Sequence, residues 1–236
     1  MSVHAPDPAP SVETRNVTKS YRQGSHEVRA LDNLSVSIYP GEFTAICGPS
    51  GSGKTTLLNL MGALDKPTSG HVLIDGQDLG ELGRRELSRI RRDRIGFVFQ
   101  AYNLIPVLTA FENAEMVLRL QGTDPHKRRE QVLQILSDVG LEGLGDRRPD
   151  QLSGGQQQRV AIARAIASNP AVVLADEPTA NVDSENADRL LEIMEKLNRD
   201  RGETFIFSTH DPRVLERARR IIRIVDGRVE DDHTIS

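Results

Sequence analysis

The run Gly48-Pro49-Ser50-Gly51-Ser52-Gly53-Lys54-Thr55 spaces its glycines, lysine and hydroxyl as a phosphate-gripping loop does. Glycine tolerates positive φ and lets bare backbone approach an anion, so successive N–H groups can converge into a nest. A helix starting near Lys54 adds the positive end of its dipole. Lys54 can reach the β- and γ-phosphates, and the Thr55 hydroxyl can ligate Mg2+. With Thr56 beside them, these residues form the expected nucleotide-binding loop, and a nucleoside triphosphate with Mg2+ the expected ligand.

A cradle binds phosphate but does not hydrolyse it. Further along, Val172-Val173-Leu174-Ala175 runs into Asp176-Glu177. The apolar run is too short for a helix and reads as a buried parallel strand. Asp176 then falls at the carboxyl edge of a strand, where open α/β sheets place ligand chemistry. It can hold Mg2+ through water, since that ion dehydrates reluctantly. Glu177 follows directly and can orient or deprotonate an attacking water. Leu152-Ser153-Gly154-Gly155-Gln156 supplies a second anion-binding helix start: Ser153 is a natural N-cap, and the glycines expose N–H groups.

These groups need a scaffold. The strand Phe43–Cys47 feeds the phosphate loop, and Leu57, Leu58, Leu60 and Met61 give the following helix a buried face. Other strands are expected near 12–20, 33–39, 71–74 and 95–99. Helices dominate from about 109 to 168, including Pro125–Gly140 with Val132, Leu133, Ile135, Leu136 and Val139 as its apolar stripe. Strand–helix alternation resumes from 171 to 225, and Asp226-Gly227 turns a final hairpin.

Taken together, the motifs resemble the ATP-binding subunits of ABC transporters, and Leu152–Gln156 matches that family's signature. The resemblance covers essentially residues 12–230. It implies an α/β fold: a P-loop NTPase (RecA-like) core with an N-terminal antiparallel β subdomain and an inserted α-helical subdomain. The expected division is a disordered tail over 1–11 and one ATP-binding domain over 12–236. Within it, 12–100 and 169–230 form the catalytic core and 101–168 the helical signature subdomain. The resemblance further implies that two copies pack head-to-tail, each signature facing the γ-phosphate held by the other. It assigns Tyr21 to stacking on adenine and Gln100, at the end of the Ile95–Phe99 strand, to touching Mg2+ and sensing a membrane partner. Asn181-Val182-Asp183 resembles the loop that crosses the dimer interface, and His210 the histidine that contacts the γ-phosphate. Catalysis would then rest on Glu177, His210 and Lys54, and metal binding on Thr55, Gln100 and Asp176. Residues 62–70 and 101–109 look like the branch serving lipoprotein release and macrolide or peptide export. The implied partners are a second copy and an integral membrane permease, and the implied location is peripheral, on the cytoplasmic face of the inner or plasma membrane. A non-transport member, such as a cell-division regulator or an iron–sulfur assembly ATPase, is the alternative. Intact Glu177 and His210 argue against a module that binds nucleotide without hydrolysing it.

Composition bounds the rest. The chain has 236 residues, with 30 basic against 34 acidic and a net charge of −4, which is no basic nucleic-acid footprint. Its single cysteine, Cys47, excludes an internal disulfide. No stretch approaches 18 apolar residues, so membrane work requires a partner. Arg84, Arg85, Arg89, Arg91, Arg92 and Arg94, diluted by Glu86 and Asp93, read as a solvated helix face, with anionic lipid or a partner as the sharper alternative. Leu104, Ile105, Val107 and Leu108, broken by Pro106, form either a buried loop plug or part of a cleft for a helix of the membrane partner.

Overall fold

The computed structural model describes residues 9–24 and 26–235. Of the expected tail, residues 1–8 lie outside the described residues. Ser11 is buried, and its carbonyl accepts from the Asp75 N–H.

Two sheets form the frame. A four-stranded antiparallel sheet contains β1 (Val12–Gln23), β2 (His26–Ile38), β4 (Ser69–Ile74) and β5 (Gln77–Asp78). A six-stranded sheet runs β10-β9-β3-β8-β7-β6, with β3 (Phe43–Cys47), β6 (Ile95–Phe99), β7 (Val172–Asp176), β8 (Phe205–Ser208), β9 (Arg220–Val225) and β10 (Arg228–Thr234). All its pairings are parallel except β10 with β9, the hairpin at Asp226-Gly227.

Period-two alternation splits the parallel strands between two cores. On one face, Ile46, Val172, Leu174 and Ile206 pack with Leu57, Leu58, Leu60 and Met61 of α1 (Lys54–Met61), which is covered in turn by Val12, Leu31, Leu34 and Val72 of the antiparallel sheet. On the other face, Phe43, Ala45, Val173, Ala175, Phe205 and Phe207 meet α6 (Ser184–Arg201) and the helices between β6 and β7: α3 (Ala110–Leu120), α4 (Pro125–Asp138) and α5 (Gly154–Ile166). Burial on both faces is why these strands read as continuous apolar runs. The Phe43 and Phe207 rings lie 4.7 Å apart, locking β3, the strand that feeds the phosphate loop, to β8.

Two elements differ from expectation. β2 begins at His26, well before residue 33: its first four residues are exposed and mostly polar, so they carry no apolar alternation, yet they pair with β1. The arginine run forms α2 (Arg84–Arg94), whose two halves behave differently. Arg84, Arg85 and Arg89 are exposed as expected. Arg91, Arg92 and Arg94 are half-buried: Arg91 donates to the Ala63 carbonyl, Arg92 to Asp93 and the Leu120 carbonyl, and Arg94 pairs with Asp75.

Candidate nucleotide site and signature helix

A cavity of about 600 Å3 opens at the carboxyl ends of β3, β7 and β8. The phosphate loop, Lys54, Thr55, Thr56, Asp176, Glu177 and His210 line it, together with Ala30 and Ser208, which the sequence did not single out. The parallel sheet explains the convergence. β8 lies between β3 and β7, so three strand ends bring residues from three distant stretches of chain to one edge.

The loop is tightly seated. Gly53 has φ 106°, and a Cβ there would stand 2.5 Å from the Ala30 carbonyl oxygen. Gly48, at φ 147°, would drive a Cβ into the Ile224 carbonyl. Both positions therefore demand glycine on conformation and on space. The Lys54 ammonium donates to the carbonyls of Gly48 (2.8 Å) and Pro49 (2.9 Å), which fixes its side chain over the mouth of the loop. Ser52 Oγ is buried without a hydrogen-bond partner among the described residues.

Opposite the loop, burial raises the Asp176 carboxyl above its usual range; the Ser208 hydroxyl opposes that rise, Glu177 adds to it, and Lys54 and Thr55 oppose it. Asp176 and the Thr55 hydroxyl are hard oxygen donors, the set that suits Mg2+. Among the described residues no group of three or more His, Cys, Asp or Glu side chains could hold a metal alone. A cation here would rely on phosphate and water oxygens, as Mg2+ ordinarily does.

Glu177 is held in a backbone conformation unusual for a side-chain-bearing residue, φ 46°. Several contacts enforce it. Its N–H donates to the Ser208 carbonyl (2.9 Å), and its carboxylate accepts from Thr209 Oγ1 (3.0 Å) and faces His210 Nδ1 at 2.6 Å. An ionised carboxylate only accepts, so Nδ1 carries the proton in that pair and Nε2 remains for a further partner. Thr179 Oγ1 donates to Asp211 (2.7 Å), tying the loop after β7 to the loop after β8.

The remaining candidates lie outside the cavity lining. Tyr21 pairs with Val28 on β2, two residues before Ala30, which does line the cavity; the β1–β2 register shifts between those two positions. Its hydroxyl donates to Asp65 (3.0 Å), and Lys19 sits 4.9 Å from its ring centroid. Gln100 accepts at its carbonyl from Asn181 Nδ2 (2.9 Å). Asp183 caps α6 by accepting from the Asn186 N–H (3.0 Å). Leu152 is buried, whereas Ser153 is exposed and caps α5 reciprocally: its Oγ accepts from the Gln156 N–H (3.2 Å), and Gln156 Oε1 accepts from its N–H (2.9 Å). Gly154 and Gly155 occupy the first turn, where N–H groups have no carbonyl one turn back.

Leu104 packs against the helical core, Val107 is 73% exposed, and Asn113 holds the carbonyls of Ile105 and Leu108. Beside this segment is a 250 Å3 cleft bordered by Phe97, Phe99, Asn103, Met116, Val117 and Arg164; none of the four apolar loop residues lines it. No described helix is long and apolar enough to cross a membrane.

Comparison with known proteins agrees with this geometry. Residues 31–180 match the ABC transporter family model. The chain is 47% identical to the ABC transporter ATP-binding protein MJ0796 of Methanocaldococcus jannaschii, over 95% of this chain and 97% of the relative. It is 46% identical to the macrolide export ATP-binding/permease protein MacB of Syntrophobacter fumaroxidans, over 94% of this chain but only 31% of that longer protein. A dimeric structure of MJ0796 in a post-hydrolysis state with ADP and Pi superposes with a TM-score of 0.86, at 47% identity, over 95% of this chain and 99% of that one. The chain belongs to the ABC transporter family, as an ATP-hydrolysing ATP-binding cassette.

Proposed function

We propose that two copies of this chain close head-to-tail around two ATP–Mg2+ and that the cycle of closure and hydrolysis drives a separate membrane permease. One observation carries the reading. The cavity gathers a phosphate loop, Asp176, Glu177 and His210, while Ser153, Gly154 and Gly155, a second capped helix start, line no part of it; the N–H groups of the two glycines have no carbonyl one turn back. A second anion site outside the first is what a composite site between two copies needs. The dimeric MJ0796 structures support the arrangement.

In this reading the loop N–H groups and Lys54 bind the β- and γ-phosphates, while Tyr21 stacks on adenine. Thr55, Asp176 and Gln100 hold Mg2+, which when bound neutralises charge on the transferring phosphoryl group. Glu177 positions and deprotonates water, and its strained, over-determined backbone keeps that carboxylate from drifting. His210 keeps Glu177 oriented through Nδ1 and contacts the γ-phosphate. The partner's Ser153, Gly154 and Gly155 approach the same phosphate, and Asn181 and Asp183 cross the interface.

The permease docks on the segment after Gln100, where Val107 is exposed, with the cassette peripheral on the cytoplasmic membrane face. Kinship with macrolide-export proteins favours the export and lipoprotein-release branch. The decisive experiment is Glu177→Gln, which keeps shape and removes the base. Size-exclusion chromatography should show an ATP–Mg2+-dependent dimer with no turnover. A monomer at saturating ATP would refute the head-to-tail reading.

A further inference from the structure

The segment after Gln100 is tied to two of the other motifs at once. Tyr102 and Asn103 both have left-handed backbones, φ 56° and 50°. Arg164 of α5 grips them by donating to the carbonyls of Asn103 and Tyr102. That turn delivers the Tyr102 hydroxyl to the Asn181 carbonyl at 2.8 Å. In the reverse direction, Asn181 Nδ2 donates to the Gln100 carbonyl at 2.9 Å. The same hydroxyl would lie 2.8 Å from a Cβ on Gly154, so only glycine at this signature position leaves room for it. Three segments far apart in sequence thus meet at one phenolic oxygen.

We propose that Tyr102 is a positioning residue for hydrolysis: its hydroxyl and Asn181 form a two-way clasp that makes the glutamine segment and the interface loop move as one body. Tyr102 lines no part of the nucleotide cavity. Its effect on the reaction therefore passes through Asn181, which faces the second copy, and a shift of the Gln100 segment is passed to the dimer interface without crossing the bound nucleotide. Phenylalanine would keep the ring and its packing but could not make the clasp. This inference rests on the head-to-tail reading proposed above.

The test uses the full chain and Tyr102→Phe. Losing one hydrogen bond predicts a roughly two- to tenfold fall in kcat. In the Glu177→Gln background the ATP-bound dimer should weaken by a similar factor. Affinity of the monomer for a fluorescent ATP analogue, KM for ATP and the melting temperature should hold. Asn181→Ala cuts the other half of the clasp, and combining it with Tyr102→Phe should cost less than the product of the two losses. Unchanged turnover in Tyr102→Phe would overturn the proposal, as would losses that multiply in the double variant. A joint fall in kcat, ATP affinity and melting temperature would also overturn it, since that marks a merely structural residue. A parent chain that neither turns over ATP nor dimerises as Glu177→Gln would overturn both readings; a hydrolysing parent matched by Tyr102→Phe overturns this one alone.

Discussion

Ser153 has two duties that one substitution can separate. Inside its own chain it caps α5, accepting from the Gln156 N–H, and across the proposed dimer it approaches the partner's γ-phosphate. Aspartate caps a helix about as well as serine and adds a favourable charge at the positive end of the dipole, worth roughly 0.3–1 kcal/mol. Ser153→Asp should therefore leave stability unchanged or slightly raised. The same carboxylate would face phosphate oxygens across the interface. Two like charges about 4 Å apart at an effective dielectric near 20 repel by roughly 4 kcal/mol, close to a thousandfold in the closed dimer. Turnover should fall by two to three orders of magnitude while the subunit still binds ATP through its own loop. Ser153→Asn keeps a neutral cap and should retain most activity; Ser153→Ala loses the cap and should cost about 1 kcal/mol of stability. Thermal melts, a fluorescent ATP-analogue titration and steady-state phosphate release measure the three quantities. Wild-type turnover in Ser153→Asp would show that this helix start faces no phosphate, and a destabilised Ser153→Asp would refute the capping argument.

Lys54→Ala should fold normally, because its side-chain bonds are only to carbonyls of its own loop, yet bind ATP weakly and hydrolyse none; normal phosphate release would refute its assignment. Two carboxyls, buried Glu203 and half-buried Asp211, should give opposite pH profiles of stability. Burial lifts Glu203 to about 7, so the folded chain keeps a proton that the unfolded chain releases above 4.5, and stability falls as pH rises between those values. The melting-temperature gain of Glu203→Gln over its parent should grow from pH 5 to pH 8, toward a ceiling of roughly 3 kcal/mol, and a flat difference would refute the cause. Hydrogen bonding to Arg213 holds Asp211 down at about 2, so the stabilisation it brings is present above pH 3.8 and lost as pH falls through 2; Asp211→Asn should cost stability at pH 7 and little near pH 2. Val107→Glu should leave the chain folded and ATP-binding but abolish co-purification with its permease, whereas Leu104→Glu should lower the melting temperature, because Leu104 packs on the helical core. Intact co-purification of Val107→Glu would place the docking surface elsewhere.

The phosphate loop was legible in the sequence because an anion nest is built from consecutive N–H groups, so its whole specification lies in eight neighbouring residues. The strands β3, β6 and β7 were legible for a related reason. Burial on both faces leaves unbroken apolar runs, and Asp176 and Glu177 stand at the end of one of them. The Asp226-Gly227 turn announced itself by residue type, and both residues have the positive φ that such a turn requires. Polar, exposed stretches gave no comparable signal. The first four residues of β2 are exposed and mostly polar, and the short β5 carries no apolar pattern. Nor could composition divide the arginines of α2 into solvated and tied, since their partners Ala63, Asp75 and Leu120 lie on other elements. The deeper layer of the site was decided by the tertiary structure. Ala30 and Ser208 reach the cavity because β2 leans over the loop and β8 lies between β3 and β7. Thr209 holds Glu177 from 32 positions away, and Tyr102 meets Asn181 across 79. A side-chain hydrogen bond to a residue far along the chain leaves no periodicity and no spacing to read; it exists only once the sheet has set the strand ends side by side.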